Sequence, residues 1–220
     1  MRFDAILFDF DGVLIESETV SSEQIAAALT SLGHPTTPAQ AMAAFMGLAS
    51  QDFAAAVERW IGGAVPDEFH RLRAVEDARV MAEGVPAVEG AVAFVRSLPA
   101  DLPKAIVSSS STAWIRRHLE HIGLAGVFGD HCYSGREHVA RGKPAPDLYL
   151  YGAERLGVAI ERCVIIEDSP VGATGAVASG GHVVGLCAGT HCAADHGARL
   201  RSIGVAAVAG SFAEVAALIA

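Results

Sequence analysis

Apolar residues run in short, near-continuous blocks along this chain, at 3–8, 104–107, 163–166, 182–186 and 205–208, and each block ends in polar or small residues. Blocks of that length without alternation read as strands buried on both faces. Elsewhere the apolar positions recur at helical spacing, over 88–98, 112–122, 147–156, 170–179, 193–202 and 212–219. Buried strands alternating with helices predict βαβ units, and so an α/β fold with a Rossmann-like, doubly wound parallel sheet.

One region departs from that alternation. Residues 17–83 carry helical patterns and no strand, with helices expected from Ser17 to Gly33 and over 38–45, 50–61 and 66–81. Ser17 is the expected N-cap of the first, with Glu16 and Glu18 beside the positive helix end. Gly33-His34-Pro35, Gly62-Gly63 and Gly84-Val85-Pro86 supply the breaks. The expected organisation is an α/β core from 1–16 and 84–220, with an all-helical cap domain inserted over 17–83.

Composition narrows the class. The 220 residues are 51% hydrophobic and 19% charged, which excludes a disordered chain. Sixteen basic residues stand against 25 acidic ones, net −9, with no dense basic cluster, so neither nucleic acid nor an anionic membrane is an expected partner. Asp4, Asp9 and Asp11 interrupt the segment where a signal peptide needs an apolar run. Residues 169–194 lack charge, but Gly172, Gly175, Gly180, Gly181, Gly185 and Gly189 point to a small-residue helix, a turn and a buried strand rather than a membrane span. The expectation is a soluble, cytoplasmic protein, monomer or homodimer undetermined.

The four cysteines form no CxxC pair, which fits free thiols in a reducing compartment. Cys187, His191, Cys192 and His196 crowd together, but a zinc finger separates two ligand pairs by a longer span. Cys187 also ends an apolar run and reads as a small buried residue. No zinc site is expected there, and no histidine is assigned a role. Trp60 and Trp114 fall in helical segments and read as packing residues. Gly172 and Gly175 read as sites of close helix–sheet packing.

In open parallel sheets, ligands bind beyond the carboxyl ends of the strands. The first strand is followed there by Asp9-Phe10-Asp11-Gly12, the second by Ser108-Ser109-Ser110-Ser111, and the 163–166 strand by Glu167-Asp168-Ser169. The connection before that strand holds Gly142-Lys143-Pro144-Ala145-Pro146-Asp147, in which Asp147 is the expected cap of the next helix. Carboxylates, hydroxyls and one lysine thus converge on one edge. Acids at i and i+2 followed by glycine, with a further acid, suit a hard cation such as magnesium, which accepts carboxylates, water and substrate phosphate. Ser108, the amides after it and Lys143 can bind phosphate oxygens. Serines 108–111 can equally cap the helix that follows, since both uses draw on an amide-rich helix start.

Four ordered segments now make a resemblance specific: Phe8-Asp9-Phe10-Asp11-Gly12-Val13-Leu14-Ile15-Glu16-Ser17, the serine-ended second strand, Gly142-Lys143-Pro144-Ala145-Pro146-Asp147, and Ile166-Glu167-Asp168-Ser169-Pro170-Val171-Gly172. The chain resembles the haloacid dehalogenase-like hydrolase superfamily, in the helical-cap subgroup that includes sugar-phosphate phosphatases and β-phosphoglucomutases. The resemblance implies Asp9 as a nucleophile forming an aspartyl-phosphate and Asp11 as general acid and base. It implies magnesium (Mg2+) held by Asp9, the Asp11 carbonyl and Asp168 with Glu167, and phosphate bound by Ser108, Ser109 and Lys143.

Departures sharpen the expectation. Glu16 stands where relatives often have Asp, at a structural position. Asp11 favours phosphate chemistry over dehalogenation. Residues 17–83 contain no lysine, against a phosphonatase Schiff base. Ser21 and Ser50 replace the His and Arg of mutase-like members, which favours hydrolysis. The expected activity is a magnesium-dependent phosphatase acting on a small phosphorylated metabolite, a sugar or sugar-acid phosphate. Its rivals are a phosphomutase and a ligand-binding or regulatory protein without turnover. Residues 45–50 are a candidate substrate-facing loop by position.

Overall fold

The computed structural model describes residues 3–46, 48 and 50–220, apart from the side chains of Ser50 and Gln51. Much of the candidate loop at 45–50, including Gly47, Ala49 and the Ser50 side chain, therefore lies outside the described residues. The chain divides into two compact units, Met1–Glu16 with Pro86–Ala220, and Ser17–Val85.

The first unit is built on a six-stranded parallel sheet in the order β3-β2-β1-β4-β5-β6. Its strands are β1 (Ala5–Phe8), β2 (Lys104–Ser108), β3 (Cys132–Ser134), β4 (Cys163–Glu167), β5 (His182–Leu186) and β6 (Ala207–Ala209). β1 is central and wholly buried, as its unbroken apolar run requires in a sheet covered on both faces. The chain steps outward from β1 to β2 and β3, then returns to the other side of β1 for β4, β5 and β6, so the strand order reverses at β1. A crevice opens at the carboxyl ends of the strands at such a reversal.

Register sets the crevice contents. Phe8 pairs with Ile106 on one side and Ile166 on the other, so Asp9 and Glu167 leave their strands level with each other, and Ser108 ends β2 close by. Side chains alternate across the sheet. Leu7, Val107 and Ile165 pack with Tyr149 and Ala153 on one face. On β1, the neighbouring Phe8 meets Phe94 and Phe128 edge-on. β3 is absent from the sequence expectation because its three residues, Cys-Tyr-Ser, form no apolar run; pairing with β2 creates it.

The helices of the second unit are α1 (Ser17–Ser31), α2 (Pro38–Phe45), α3 (Ser50–Ile61) and α4 (Asp67–Glu83). They enclose their own core of Leu29, Ala41, Phe45, Val57 and Phe69. α2 starts with a capping box, in which the Thr37 hydroxyl accepts from the Gln40 amide and the Gln40 side chain accepts from the Thr37 amide. Ser17 does not cap α1. It is already the first helical residue, and its buried hydroxyl makes no hydrogen bond. Glu16 precedes it, with its carboxylate drawn instead to Thr190.

The remaining helices are α5 (Ala91–Ser97), α6 (Thr112–His121), α7 (Asp147–Leu156), α8 (Pro170–Ser179), α9 (His196–Ile203) and α10 (Phe212–Ile219). Ser111 caps α6 by accepting from the Trp114 amide, and Ser169 caps α8 by accepting from Gly172. Asp147 is no cap either. Pro146 before it already has helical dihedrals, and the Asp147 carboxylate pairs with Arg141 at 2.8 and 3.0 Å. All four cysteines are free, and among the described residues no helix is long and apolar enough to cross a membrane.

His118 is buried on α6, stacked on Trp114, with its Nδ1 at 3.0 Å from the Trp114 carbonyl. Burial lowers its pKa below the ordinary 6.5, although that hydrogen bond opposes the shift. The unfolded chain therefore binds this proton more readily, and stability present above about 6.5 is lost as pH falls below it. The thermal midpoint is expected to drop between pH 7 and 5, and to drop less in His118→Gln. Equal slopes in the two proteins would remove His118 from the account.

Candidate active site

The crevice collects carboxylates from two neighbouring strands around a single ammonium. Asp9 follows β1, and Glu167 and Asp168 end and follow β4; all three are at least nine-tenths buried. Their oxygens offer three ligand atoms within 4.8 Å of one another. Lys143, on the connection before α7 and 4% exposed, lies 2.6 Å from Asp9 Oδ1 and 2.5 Å from Glu167 Oε1. Burial alone would favour its neutral form, but the charges of Asp9 and Glu167 and its hydrogen bonds to both outweigh that and raise its pKa. Burial in turn pushes the Asp9 carboxyl well above the usual range; Glu167 adds to the rise and Lys143 opposes it.

Glu167 is held at every oxygen. The Tyr149 hydroxyl lies 2.7 Å from Oε1, and the amide and hydroxyl of Ser169 each donate to Oε2 at 3.1 Å. Gly172 leaves room for this carboxylate, because a Cβ there would fall 1.9 Å from Oε1. Its place in the sequence is thus set by a side chain as well as by helix–sheet packing. Gly12 is as tightly placed. Its φ of +78° is one that L residues avoid, and an added Cβ would stand 2.1 Å from Asp168 Oδ2.

Asp11 faces the other flank of the crevice. Its Oδ2 accepts from Ser110 at 2.6 Å and Ser108 at 3.2 Å, and its Oδ1 accepts from the Trp114 indole at 3.0 Å. Ser108 is buried and also receives the Ser110 amide at 2.9 Å, whereas Ser109 is exposed on the loop. A family model of haloacid dehalogenase-like hydrolases matches residues 3–180, which span every one of these groups. The chain belongs to that family. It is a hydrolase, and several of its curated relatives are named phosphatases.

Among the similar proteins is hexitol phosphatase A of Escherichia coli K12, 34% identical over 192 residues that cover 84% of each chain. The 6-phosphogluconate phosphatase of the same organism is 28% identical over 86% of this chain and 85% of its own. A haloacid dehalogenase family hydrolase from Deinococcus radiodurans R1, solved with bound phosphate and sodium, superposes with a TM-score of 0.86. It is 36% identical over 99% of this chain and 95% of that one.

Sequence reasoning missed several groups at this hydrolase site. Trp114, read as a packing residue, donates to Asp11. Ser110 was one serine among four, and only the turn after β2 singles it out. Tyr149 sits in the first turn of α7, where nothing in the spacing marks it. Histidines also enter: His191 Nε2 lies 2.8 Å from Asp168 Oδ2, and His196 Nε2 lies 2.6 Å from the Asp168 carbonyl.

Removing the ammonium exposes the electrostatics directly. Lys143→Met leaves Asp9 and Glu167 buried without their counter-charge, a change that costs about 3–5 kcal/mol when one partner of a buried pair is lost. The urea midpoint is expected to fall accordingly, and to recover in part at acid pH as the carboxylates take up protons. A variant as stable as the parent would show that the triad does not carry that charge balance.

Proposed function

We propose that this hydrolase is a magnesium-dependent phosphatase acting on a small phosphorylated metabolite, a sugar or sugar-acid phosphate, through an aspartyl-phosphate. The observation that carries the reading is the buried Asp9 carboxylate, with Lys143 on its Oδ1 and Asp168 beside it. A phosphoryl group needs a nucleophile, a cation and freedom from bulk water in one place. The names of the curated relatives, a hexitol and a 6-phosphogluconate phosphatase, support the substrate class.

The donors suit a hard divalent cation. They are all oxygens, and three buried carboxylates gather at one ammonium that contacts two of them, so the protein's own charges leave the crevice negative. Asp9, the Asp11 carbonyl and Asp168 would hold magnesium, with Glu167 contributing its charge and its grip on Lys143. When bound, the ion offsets the repulsion between these acids and an anionic substrate.

An Asp9 carboxylate oxygen attacks phosphorus, and the bond to the leaving alcohol breaks as Asp11 delivers a proton to it. Water then attacks the aspartyl-phosphate, Asp11 takes its proton, and inorganic phosphate leaves Asp9 as a carboxylate. Lys143, the Ser108 hydroxyl and the Ser109 main-chain amide bind the non-bridging oxygens. Trp114 and Ser110 hold Asp11 between these steps. The helical unit, inserted between Asp9 and the rest of the core in the chain, is the cap that selects the leaving group. Ser21, a hydroxyl where mutase-like members place an imidazole, supports hydrolysis over transfer.

Phosphate release across hexitol, sugar-acid and sugar phosphates, with magnesium and with EDTA, tests the reading. Turnover should need the metal and fall by roughly 10⁴-fold or more in Asp9→Asn. Silence across the panel from a folded, magnesium-binding protein would overturn it. Trp114→Phe should lower kcat about tenfold with KM little changed, and shift the pH profile of kcat, since one hydrogen bond to a charged group is lost. A change confined to KM would place Trp114 in binding instead.

A further inference from the structure

We propose that His191, Cys192 and His196 form a second cation site, for a thiophilic divalent ion of the zinc type, set against Asp168. Each residue offers one donor atom, and the three lie within 4.8 Å of one another. Two imidazoles and a thiol are a soft donor set, unlike the all-oxygen group around Asp9. The two sets therefore sort zinc from magnesium by chemistry. Three such ligands make a His₂Cys set, which leaves one position of tetrahedral zinc open.

The histidines already have the support that ligating imidazoles need. Metal-bound histidines commonly hold their other ring nitrogen on a carboxylate or a carbonyl. Asp168 supplies both, its carboxylate to His191 at 2.8 Å and its carbonyl to His196 at 2.6 Å. With Nε2 of His196 donating to that carbonyl, Nδ1 keeps its lone pair, and that atom is buried with no hydrogen-bond partner. A buried nitrogen in that state is rare in a folded protein unless something else satisfies it.

The loop that carries these ligands is shaped in advance. Thr190 is tied to Glu16 through its amide at 3.0 Å and its hydroxyl at 2.7 Å. Cys192 and His196 close successive turns onto the Gly189 and Ala193 carbonyls at 3.0 and 2.9 Å. The spacing argument against zinc weighs separation along the chain, whereas the turns here fold neighbouring residues onto one point. Ligand pairs far apart in sequence are one way to build such a site, and a loop closed on itself is another.

The test uses the full chain, stripped with chelator and titrated with Co2+ and then Zn2+. One equivalent should bind, with thiolate-to-cobalt charge-transfer absorption and the visible bands of a four-coordinate site. Binding should persist in Asp9→Asn and under excess magnesium. It should weaken at least tenfold in Cys192→Ser and in His196→Gln. Cobalt spectra without a thiolate band, zinc displaced by magnesium, or unchanged affinity in both variants would each overturn the proposal. Should the variants fail to fold, alkylation of Cys192 in the parent decides it. Zinc should slow that reaction at least tenfold, and equal rates with and without zinc would refute the site. All readouts are of binding, so they stand apart from the phosphatase assay.

Discussion

The Lys143 ammonium between Asp9 and Glu167 is the interaction on which the rest of the active-site structure depends. Three carboxylates buried side by side repel one another and lose their hydration. One cation in contact with two of them makes the cluster tolerable, and further donors complete it: Tyr149 and Ser169 take the remaining valences of Glu167. Tyr149 lies in α7 and Ser169 caps α8, so both helices are fastened to the crevice by charge as well as by apolar packing. Gly172 is part of the same arrangement, since any side chain there would occupy the Glu167 carboxylate.

Asp11 belongs to a different network. It is held by β2 and α6, through Ser108, Ser110 and Trp114, and so is separated from the lysine-centred cluster although it lies two residues from Asp9. Neighbouring acids with different partners can take different roles, which is the physical requirement of the proposed mechanism. The stretch after β2 serves both ends: Ser111 caps α6 while Ser110 turns back to Asp11. Asp168 joins the first cluster to the loop after β5 through its carboxylate and its carbonyl. That loop is anchored at its other side by Glu16, whose carboxylate takes the Thr190 amide and hydroxyl. Glu16 thus makes contacts of its own.

Much of this was legible in the chain. Short, near-continuous apolar blocks alternating with helical segments read as strands covered on both faces, and residues that follow such strands meet at one edge of a parallel sheet. The pattern alone therefore puts Asp9, Ser108, Glu167 and Asp168 at that edge, and Lys143 stands out between Gly142 and Pro144. The helical stretch between β1 and the next strand was visible for the same reason of period. These are local or periodic properties, and the backbone expresses them wherever it folds.

Tertiary structure decided what depends on distance between segments far apart in sequence. β3 exists because β2 offers it hydrogen bonds, and its own three residues carry no pattern. Ser17 and Asp147 have the chemistry of caps, but Ser17 is already helical with its hydroxyl unbonded, and Pro146 before Asp147 has helical dihedrals while the Asp147 carboxylate pairs with Arg141. Trp114, Tyr149 and His191 gain their roles by reaching a carboxylate on another strand. Sequence determines which residues can bond and on which edge they emerge. Which of them do so is a matter of a few ångströms, and only the packed chain sets those.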